Sequence, residues 1–463
     1  MRKGAGEKFE DILLGTALVG GGILAARKLV HKSVQSAMGR LMMDPYNENV
    51  WEFVSAVTRA GLQNIMETNL RAQEGKVIQR PLGSPRKFPR MHSLMFRTAQ
   101  LHPLPENPNT PIEMGTVIGP KAEKPLSISI PIMISGMAFG LALSEKAKIA
   151  LAKGAGMSGT ATNTGEGPFL QSERDAAKKL IIQYTKYHWQ KEEEILKQAD
   201  AIEIHLGQGA TAGLGHRVVN KKVLDAVRKK MPIPYRDALR SDSRFANMVE
   251  EKNMLPKMIK HLKKISEGVP VGAKIAAGQS LESDLELLVD AGVDYIVVDG
   301  AEAATHGSPP ITQDDFGIPT LHALCRAGKF FRENKLNGKV SLIASGGLFS
   351  PGDFLKAIAL GADAVNTGTM ILFAMAHTQV LKSLPWEPPT QVVWADGKQA
   401  DKFNLKKGIM STHKYLKSAS EEMGDGIRAL GKRNIHDIGL DDLCAIDRDV
   451  ADIAGVPFTG VSP

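Results

Sequence analysis

The stretch Pro131–Gly167, PIMISGMAFGLALSEKAKIALAKGAGMSGTATNTGEG, decides the fold of this chain. Ile130–Ile134 is a short apolar run, typical of a buried parallel strand, and a loop begins where it ends, at Ser135–Met137. Ser144 can cap the helix that the small and apolar residues after it predict. A second short run ends in the glycine-rich loop around Glu166. The stretch therefore predicts one βαβ unit with polar residues at the carboxyl ends of its strands.

The rest of the chain repeats this alternation of strand and helix. Helical patterns such as Leu281–Ala291 and Asp353–Leu360 separate six further apolar runs, which begin at Leu180, Ala201, Val271, Asp294, Val340 and Ala362. Eight strand candidates favour an α/β fold, a closed (β/α)8 TIM barrel, over a doubly wound sheet, which more often has about five to seven strands. Residues 217–265, between the fourth and fifth strands, are a candidate lid over the barrel mouth.

Composition shifts divide the chain into four parts. We predict an N-terminal apolar and basic segment (1–40), a helix followed by an extended arm (41–125), the barrel (126–380) and a C-terminal helical cap (381–463). WEFVSAVTRAGLQNIMETNLRAQEG predicts one amphipathic helix, and the proline-rich, basic stretch 79–96 predicts an arm packed on the main domain. The cations of the arm either bind an anion or are satisfied by backbone and solvent.

The apolar run Ile12–Ala26 carries no charge and is followed by Arg27, Lys28 and Lys32. As a helix it would rise only about 22 Å, which is short for a bilayer. Three interpretations stay open: a buried or oligomer-contact helix, association with a membrane surface, or a removed signal. We expect a cytoplasmic protein, with possible membrane association through residues 9–32.

Overall composition is that of a soluble protein. Of 463 residues, 43% are hydrophobic and 23% charged, which excludes wholesale disorder and a polytopic membrane protein. The formal net charge of +8 is spread among acidic residues, so we expect a solvated surface and no nucleic-acid partner. The two cysteines, Cys325 and Cys444, are too few for an all-cysteine iron–sulfur cluster, and we predict no metal site.

Small residues follow the last two predicted strands. Ser345, Gly346 and Gly347 come after the seventh strand, and Gly368 and Thr369 after the eighth. In a (β/α)8 barrel these two loops commonly bind a phosphate through exposed backbone N–H groups. The sequence therefore predicts a phosphate-bearing cofactor.

Charged residues at two neighbouring strand ends are further candidates. Lys274 lies near the end of an apolar strand, where a charge is costly unless it is paired. It would contact either an anionic ligand or Asp299 or Glu302 on the next strand. These two acidic residues either face the cofactor or form a structural hydrogen-bonded pair.

Several motifs resemble one known family. ISGMAFG, ALSEKAKIALAKGA and TATNTGEG are closely similar to the FMN-binding domain of the glutamate synthases, in its short, glutamate synthase-like form, and the similarity recurs from about residue 41 to 460. The resemblance implies FMN as cofactor. It also implies an FMN-dependent oxidoreductase that transfers hydride from reduced FMN to an imino or 2-oxo acid, or oxidises an amino acid in reverse.

The resemblance also implies roles for individual residues. Lys274 would contact the flavin, Gln183 would bond its pyrimidine side, and Met137 would pack on the ring or belong to the core. With Lys274, Glu166 and Gln208 would order the substrate. The full expected cofactor set is Ser135, Gly136, Met137, Asn163, Gln183, Lys274, Asp299, Ser345, Gly346, Gly347, Gly368 and Thr369.

The sequence departs from the family in the loop after the fourth strand. The family pattern EIKxxQGAKPGxGG binds 2-oxoglutarate, but here its two lysines are replaced by His205 and Thr211. Neutral histidine supplies no charge for a dicarboxylate, so the substrate differs or is held by His205, His216 and Arg217.

Other family features are absent or altered. The family's cysteine cluster is replaced by LKSLPWEPPTQ, and no glutaminase domain precedes the barrel, so we expect no ammonia release from glutamine. His306 stands where the family is expected to have glycine. We expect a small amino or 2-oxo acid as substrate, a protein or NAD(P)H-linked electron donor, and a homo-oligomer. The alternative is a non-catalytic or electron-relay flavoprotein subunit, docked on a membrane or a protein partner.

Overall fold

The computed structural model describes residues 5–89, 91–185, 192–214, 217–218, 220–230, 239–240, 253–303 and 307–460, with backbone only for 5–21, 23, 217–218 and 239–240. The chain divides into two compact units, Met1–Ile78 and Gln79–Pro463. Residues 219, 231–238 and 241–252 of the candidate lid, and His306, lie outside the described residues.

The first unit is helical. Its helices are α1 (Ala5–Met43), α2 (Trp51–Ala60) and α3 (Leu62–Glu74). The prediction of one helix over the last two is wrong, because Gly61 adopts a φ of +77° and interrupts it. Among the described helices, none is long and apolar enough to cross a membrane.

The second unit contains an eight-stranded parallel barrel. Its strands, in chain order and labelled β1 to β8, are Ile132–Ile134, Thr162–Asn163, Leu180–Tyr184, Ala201–His205, Val271–Ala276, Tyr295–Asp299, Ser341–Ser345 and Ala364–Thr367. Neighbouring strands pair in sequence order, and β8 returns to pair with β1. The Ile134 N–H donates to the Ala161 carbonyl at 3.0 Å across the remaining seam, between β1 and β2. The predicted TIM barrel is confirmed.

Helices surround the barrel. Ser144 caps the first of them as predicted, because its hydroxyl accepts from the Ala147 N–H at 3.3 Å. The long helix Leu405–Ala429 packs against the helices Glu145–Met157, Pro351–Ala359 and Thr369–Ala376. The helices, labelled α4 to α15, are Glu145–Met157, Gln171–Ala176, Glu193–Leu196, Lys221–Arg228, Met254–Ile265, Leu281–Asp290, Pro310–Asp314, Thr320–Glu333, Pro351–Ala359, Thr369–Ala376, Leu405–Ala429 and Arg448–Ala454.

Three short antiparallel pairs complete the described strands. Leu94–Phe96 pairs with Leu443–Ala445, and Arg217–Val218 pairs with Leu239–Arg240. The third pair is the hairpin Thr116–Ile118 and Leu126–Ile128. Its apolar side chains cluster with the barrel interior, which includes the fully buried Tyr295. The hairpin therefore fills one end of the barrel with side chains, and polar groups collect at the carboxyl ends of the strands.

Candidate functional site

A cavity of about 1200 Å³, including its mouth, lies at the carboxyl ends of the barrel strands. Each of the eight strands, or the loop that follows it, contributes to its wall. The predicted residues that line it are Ser135, Gly136, Met137, Glu166, Gln183, Gln208, Lys274, Asp299, Ser345, Gly346, Gly347, Gly368 and Thr369. The fold thus gathers side chains that are far apart in the sequence.

One end of the cavity is formed by glycine-rich loops. Gly346 and Gly347 have φ values of +99° and +61°, a region that glycine adopts without strain. A Cβ on Gly347 would lie 2.5 Å from the Cβ of Glu302, so no side chain fits there. Thr369 begins α13, whose first N–H groups lack partners within the helix. This end can receive a phosphate on backbone donors.

The buried cation of the site is Lys274, which is 3% exposed. Its ammonium lies 3.4 Å from the Asp299 Oδ2, so the ion pair considered from the sequence is formed. The same oxygen accepts from the Gly209 N–H at 3.1 Å. Asp299 Oδ1 is buried and has no hydrogen-bond partner among the described residues. Both charged groups line the cavity, so the pair also faces any ligand there.

Glu302 has a different role from Asp299. Its Oε2 accepts from both the backbone N–H and the hydroxyl of Thr320, each at 2.7 Å. Thr320 is the first residue of α11, where a carboxylate interacts favourably with the helix dipole. The two acidic residues therefore bond to separate partners and do not form a pair with each other.

A buried carboxylate that the sequence analysis did not select lies beneath the cavity. Glu203 Oε1 accepts from the Gln183 Nε2 at 2.7 Å and from the Asn163 Nδ2 at 3.0 Å. Gly136 lies directly above, since a Cβ there would be 2.9 Å from the Asn163 Oδ1. Glu203 thus orients the amide of Gln183, which lines the cavity, whereas Asn163 lies behind the wall and does not line it.

Two further predicted residues form a contact of their own. His205 Nε2 lies 3.3 Å from Glu166 Oε2, and His205 is buried while Glu166 lines the cavity. His205 Nδ1 has no hydrogen-bond partner among the described residues. His205 therefore contacts Glu166, a residue of the cavity wall, but does not itself line the cavity. His216 and the side chain of Arg217 lie outside the described residues.

The arm Gln79–Pro89 contributes an unexpected part of the wall. Arg80 Nη1 donates to Asp314 Oδ1 at 2.6 Å, and Ser84 bonds to the same carboxylate oxygen. Burial acts to raise the pKa of Asp314, but the hydrogen bonds from Arg80 and Ser84 more than offset it and lower that pKa below its usual value. The arm is thereby fixed to α10, and Leu82 and Phe88 face the cavity. The guanidinium of Arg80 is therefore paired with a carboxylate of the protein.

Sequence analysis also missed apolar residues of the wall. Leu348 and Phe349 directly follow Gly346 and Gly347, so their sequence position could have indicated that they line the cavity. Trp394 comes from the C-terminal region and Phe88 from the arm, and no local pattern links either to the barrel. Leu372 projects from α13.

The cavity fits FMN. Its wall combines glycines that leave no room for side chains, apolar side chains such as Met137 and Leu348, and the polar side chains of Lys274 and Gln183. These three kinds of group suit a phosphate, an apolar ring and a polar ring edge. Among the described residues, no group of three or more histidine, cysteine or acidic side chains could hold a metal ion.

The fold and site define a (β/α)8 barrel protein whose carboxyl end is built for a phosphate-bearing, ring-containing ligand. Residues 86–433 match the family described as "Conserved region in glutamate synthase". The chain belongs to this family.

Individual relatives cover most of the chain. It is 32% identical over 409 residues to the glutamate synthase large subunit-like protein of Rhizobium meliloti (strain 1021), covering 83% of this chain and 90% of that one. It is 29% identical over 388 residues to the archaeal-type glutamate synthase (NADPH) of Thermotoga maritima, covering 78% and 75%. A solved structure of a flavocytochrome b2 variant with sulfite bound has a TM-score of 0.49 at 15% identity, covering 76% of each chain.

Proposed function

We propose that this chain is an FMN-dependent oxidoreductase of the glutamate synthase type that interconverts an amino acid and its imino or 2-oxo acid. The observation that carries the proposal is that the glycine loops after β7 and β8 line the same cavity as Lys274 and Gln183. Family membership supports the same assignment.

Each part of the cavity takes one part of the cofactor. The N–H groups around Gly346, Gly347 and Thr369 hold the phosphate, and Met137 and Leu348 cover the ring. Lys274 and Gln183 hold the polar edge, where a fixed cation stabilises negative charge. When bound, FMN supplies reversible two-electron hydride chemistry to this site.

Glu166 and Gln208 act on the substrate. Oxidising an amino acid removes a hydride from carbon and a proton from nitrogen, so the site needs a proton acceptor beside the nitrogen. Glu166 is a carboxylate in the wall, and its contact with His205 at 3.3 Å gives it a partner that can share the proton. Gln208 orients the substrate by hydrogen bonding.

Partners follow from the chemistry. When an imino or 2-oxo acid is reduced, the flavin is oxidised and must be reduced again, so for this direction we propose an NAD(P)H-linked or protein electron donor. We also propose a homo-oligomeric enzyme. A second candidate, a flavoprotein that only relays electrons, is favoured by one observation. Among the described residues that line the cavity, Lys274 is the only lysine or arginine, whereas Glu166, Asp299 and Glu302 are acidic. This balance of charge does not favour the binding of an acidic substrate.

Visible absorbance of the purified chain tests these candidates. The enzyme proposal predicts one FMN per chain and bleaching of the flavin on addition of an amino acid substrate. A flavin that responds only to a protein donor supports the relay. Protein that is colourless and takes up no added FMN contradicts both.

A further inference from the structure

A lysine that the proposed chemistry does not use is buried beside the site. Lys148, on α4, is 1% exposed. Its ammonium donates to the carbonyls of Met137 at 2.6 Å, Asn163 at 2.8 Å and Thr164 at 3.2 Å. It also lies 2.9 Å from the Glu173 Oε1 on α5, which is equally buried. Met137 lies in the loop after β1, Asn163 is the last residue of β2, and Thr164 begins the loop that follows β2.

The charge state of Lys148 follows from its contacts. Burial lowers its pKa and raises the pKa of Glu173, and the charge of each residue offsets part of the other's shift. Three carbonyl acceptors require three N–H donors, which only the ammonium form provides. We therefore assign a buried, compensated ion pair, whose removal from one side would leave a costly unpaired charge.

The two loops also touch directly. A Cβ on Gly165 would lie 2.5 Å from the Ala138 N, and one on Gly167 would lie 2.6 Å from the Phe139 O. These glycines flank Glu166 and rest on the backbone that follows Met137. Any separation of the loops would therefore move both Met137 and Glu166, which line the cavity.

We propose that Lys148 is a positioning residue, which ties the loops after β1 and β2 together and so fixes Met137 and Glu166 in the wall of the site. For its effect on flavin and substrate the proposal rests on the proposed function. The connection that Lys148 makes between the two loops involves only residues of the chain, so it can be measured without cofactor.

A second ion pair of the barrel serves as a control. Lys263 Nζ lies 2.7 Å from Asp294 Oδ1, and Asp294 Oδ2 accepts from the Val271 N–H at 2.9 Å, at the beginning of β5. This pair lies at the opposite end of the strands from the cavity. Its loss should affect stability and leave the site loops unchanged.

The test compares the full-length wild type with the variant Lys148→Met/Glu173→Leu, which removes both charges so that neither is left buried alone. Amide hydrogen exchange is measured on residues 135–144 and 164–170 in protein without added cofactor. FMN dissociation constants and flavin absorbance spectra are then measured by titration. Lys263→Met is treated identically.

We expect exchange in both loops to rise at least about ten-fold, FMN to bind at least about ten-fold more weakly, and the absorbance of the bound flavin to shift. Lys263→Met should lower the melting temperature and change none of these. If the folded double variant stays within about two-fold of the wild type in both exchange and FMN affinity, the proposal is wrong.

Two further outcomes are separable. Should the double variant fail to fold, Lys148→Gln/Glu173→Gln, which keeps polar groups in place, carries the same predictions. Should the wild type bind no FMN, the proposed function fails, and the exchange comparison alone decides whether Lys148 ties the loops.

Discussion

The two ends of the cavity differ in how they relate to the family. At the proposed cofactor end, the glycines after β7 and β8 and Lys274, which the sequence resemblance implies for the cofactor, line one cavity. At the proposed substrate end, the resemblance implies lysines at His205, the last residue of β4, and at Thr211 in the loop that follows, and both of these side chains are buried. We propose from this difference that separate loops of one barrel retain the cofactor site while the substrate site changes.

The largest expected effect concerns the cofactor end. Gly347→Asp should abolish FMN binding, because the Cβ would lie 2.5 Å from the Glu302 Cβ and the new carboxylate would repel the phosphate. Fluorescence titration with FMN measures it. Gly338→Asp is the matched control, since Gly338 also has a positive φ (+73°) but nothing lies within 4 Å of its Cβ position. FMN affinity within about ten-fold of wild type would refute the assignment of this loop.

Lys274→Met should reduce turnover by about 100-fold or more, the usual effect of losing one preorganised electrostatic contact. It removes the cation 3.4 Å from Asp299 and leaves that buried carboxylate without its partner. Steady-state and single-turnover rates are the measurement. The exposed Lys329, which pairs loosely with Glu333 at 3.8 Å, provides the control Lys329→Met. Equal turnover in the two variants would show that Lys274 has only a structural role.

At the substrate end, His205→Lys with Thr211→Lys should improve 2-oxoglutarate affinity. Two charge-assisted hydrogen bonds correspond to about two to four orders of magnitude, and we expect about ten- to one hundred-fold because burial opposes both new charges. Isothermal titration with 2-oxoglutarate, and with a neutral amide analogue as control, checks this. An unchanged affinity would show that these positions do not determine the substrate.

The smallest effect is expected from truncation. A chain that begins near Val34 should bind FMN within about two-fold of the full chain, because every residue assigned to the site lies in the unit Gln79–Pro463. Either the oligomer size or the partition between membrane and soluble fractions should change instead. Loss of flavin would show that the N-terminal segment contributes to FMN binding, which would contradict the prediction.

The fold was predictable because most barrel strands are local apolar runs that end in glycine or polar residues, and the glycines proposed to hold the cofactor follow two of those runs. The break at Gly61 was missed because one glycine in a helical pattern does not determine its own φ. Phe88 and Trp394 could not be assigned, since tertiary packing alone brings them to the cavity. Lys148 resembles a surface lysine of an amphipathic helix until the carbonyls around it are known.

The most direct test is a titration of the flavin-loaded wild-type chain with 2-oxoglutarate, followed by flavin absorbance. The comparison of the two ends predicts one FMN per chain and no saturation below roughly 1 mM 2-oxoglutarate, a binding free energy of about −4 kcal/mol. A saturable spectral change in the micromolar range would contradict it, because the substrate end would then retain the binding property that its altered loop is proposed to have lost.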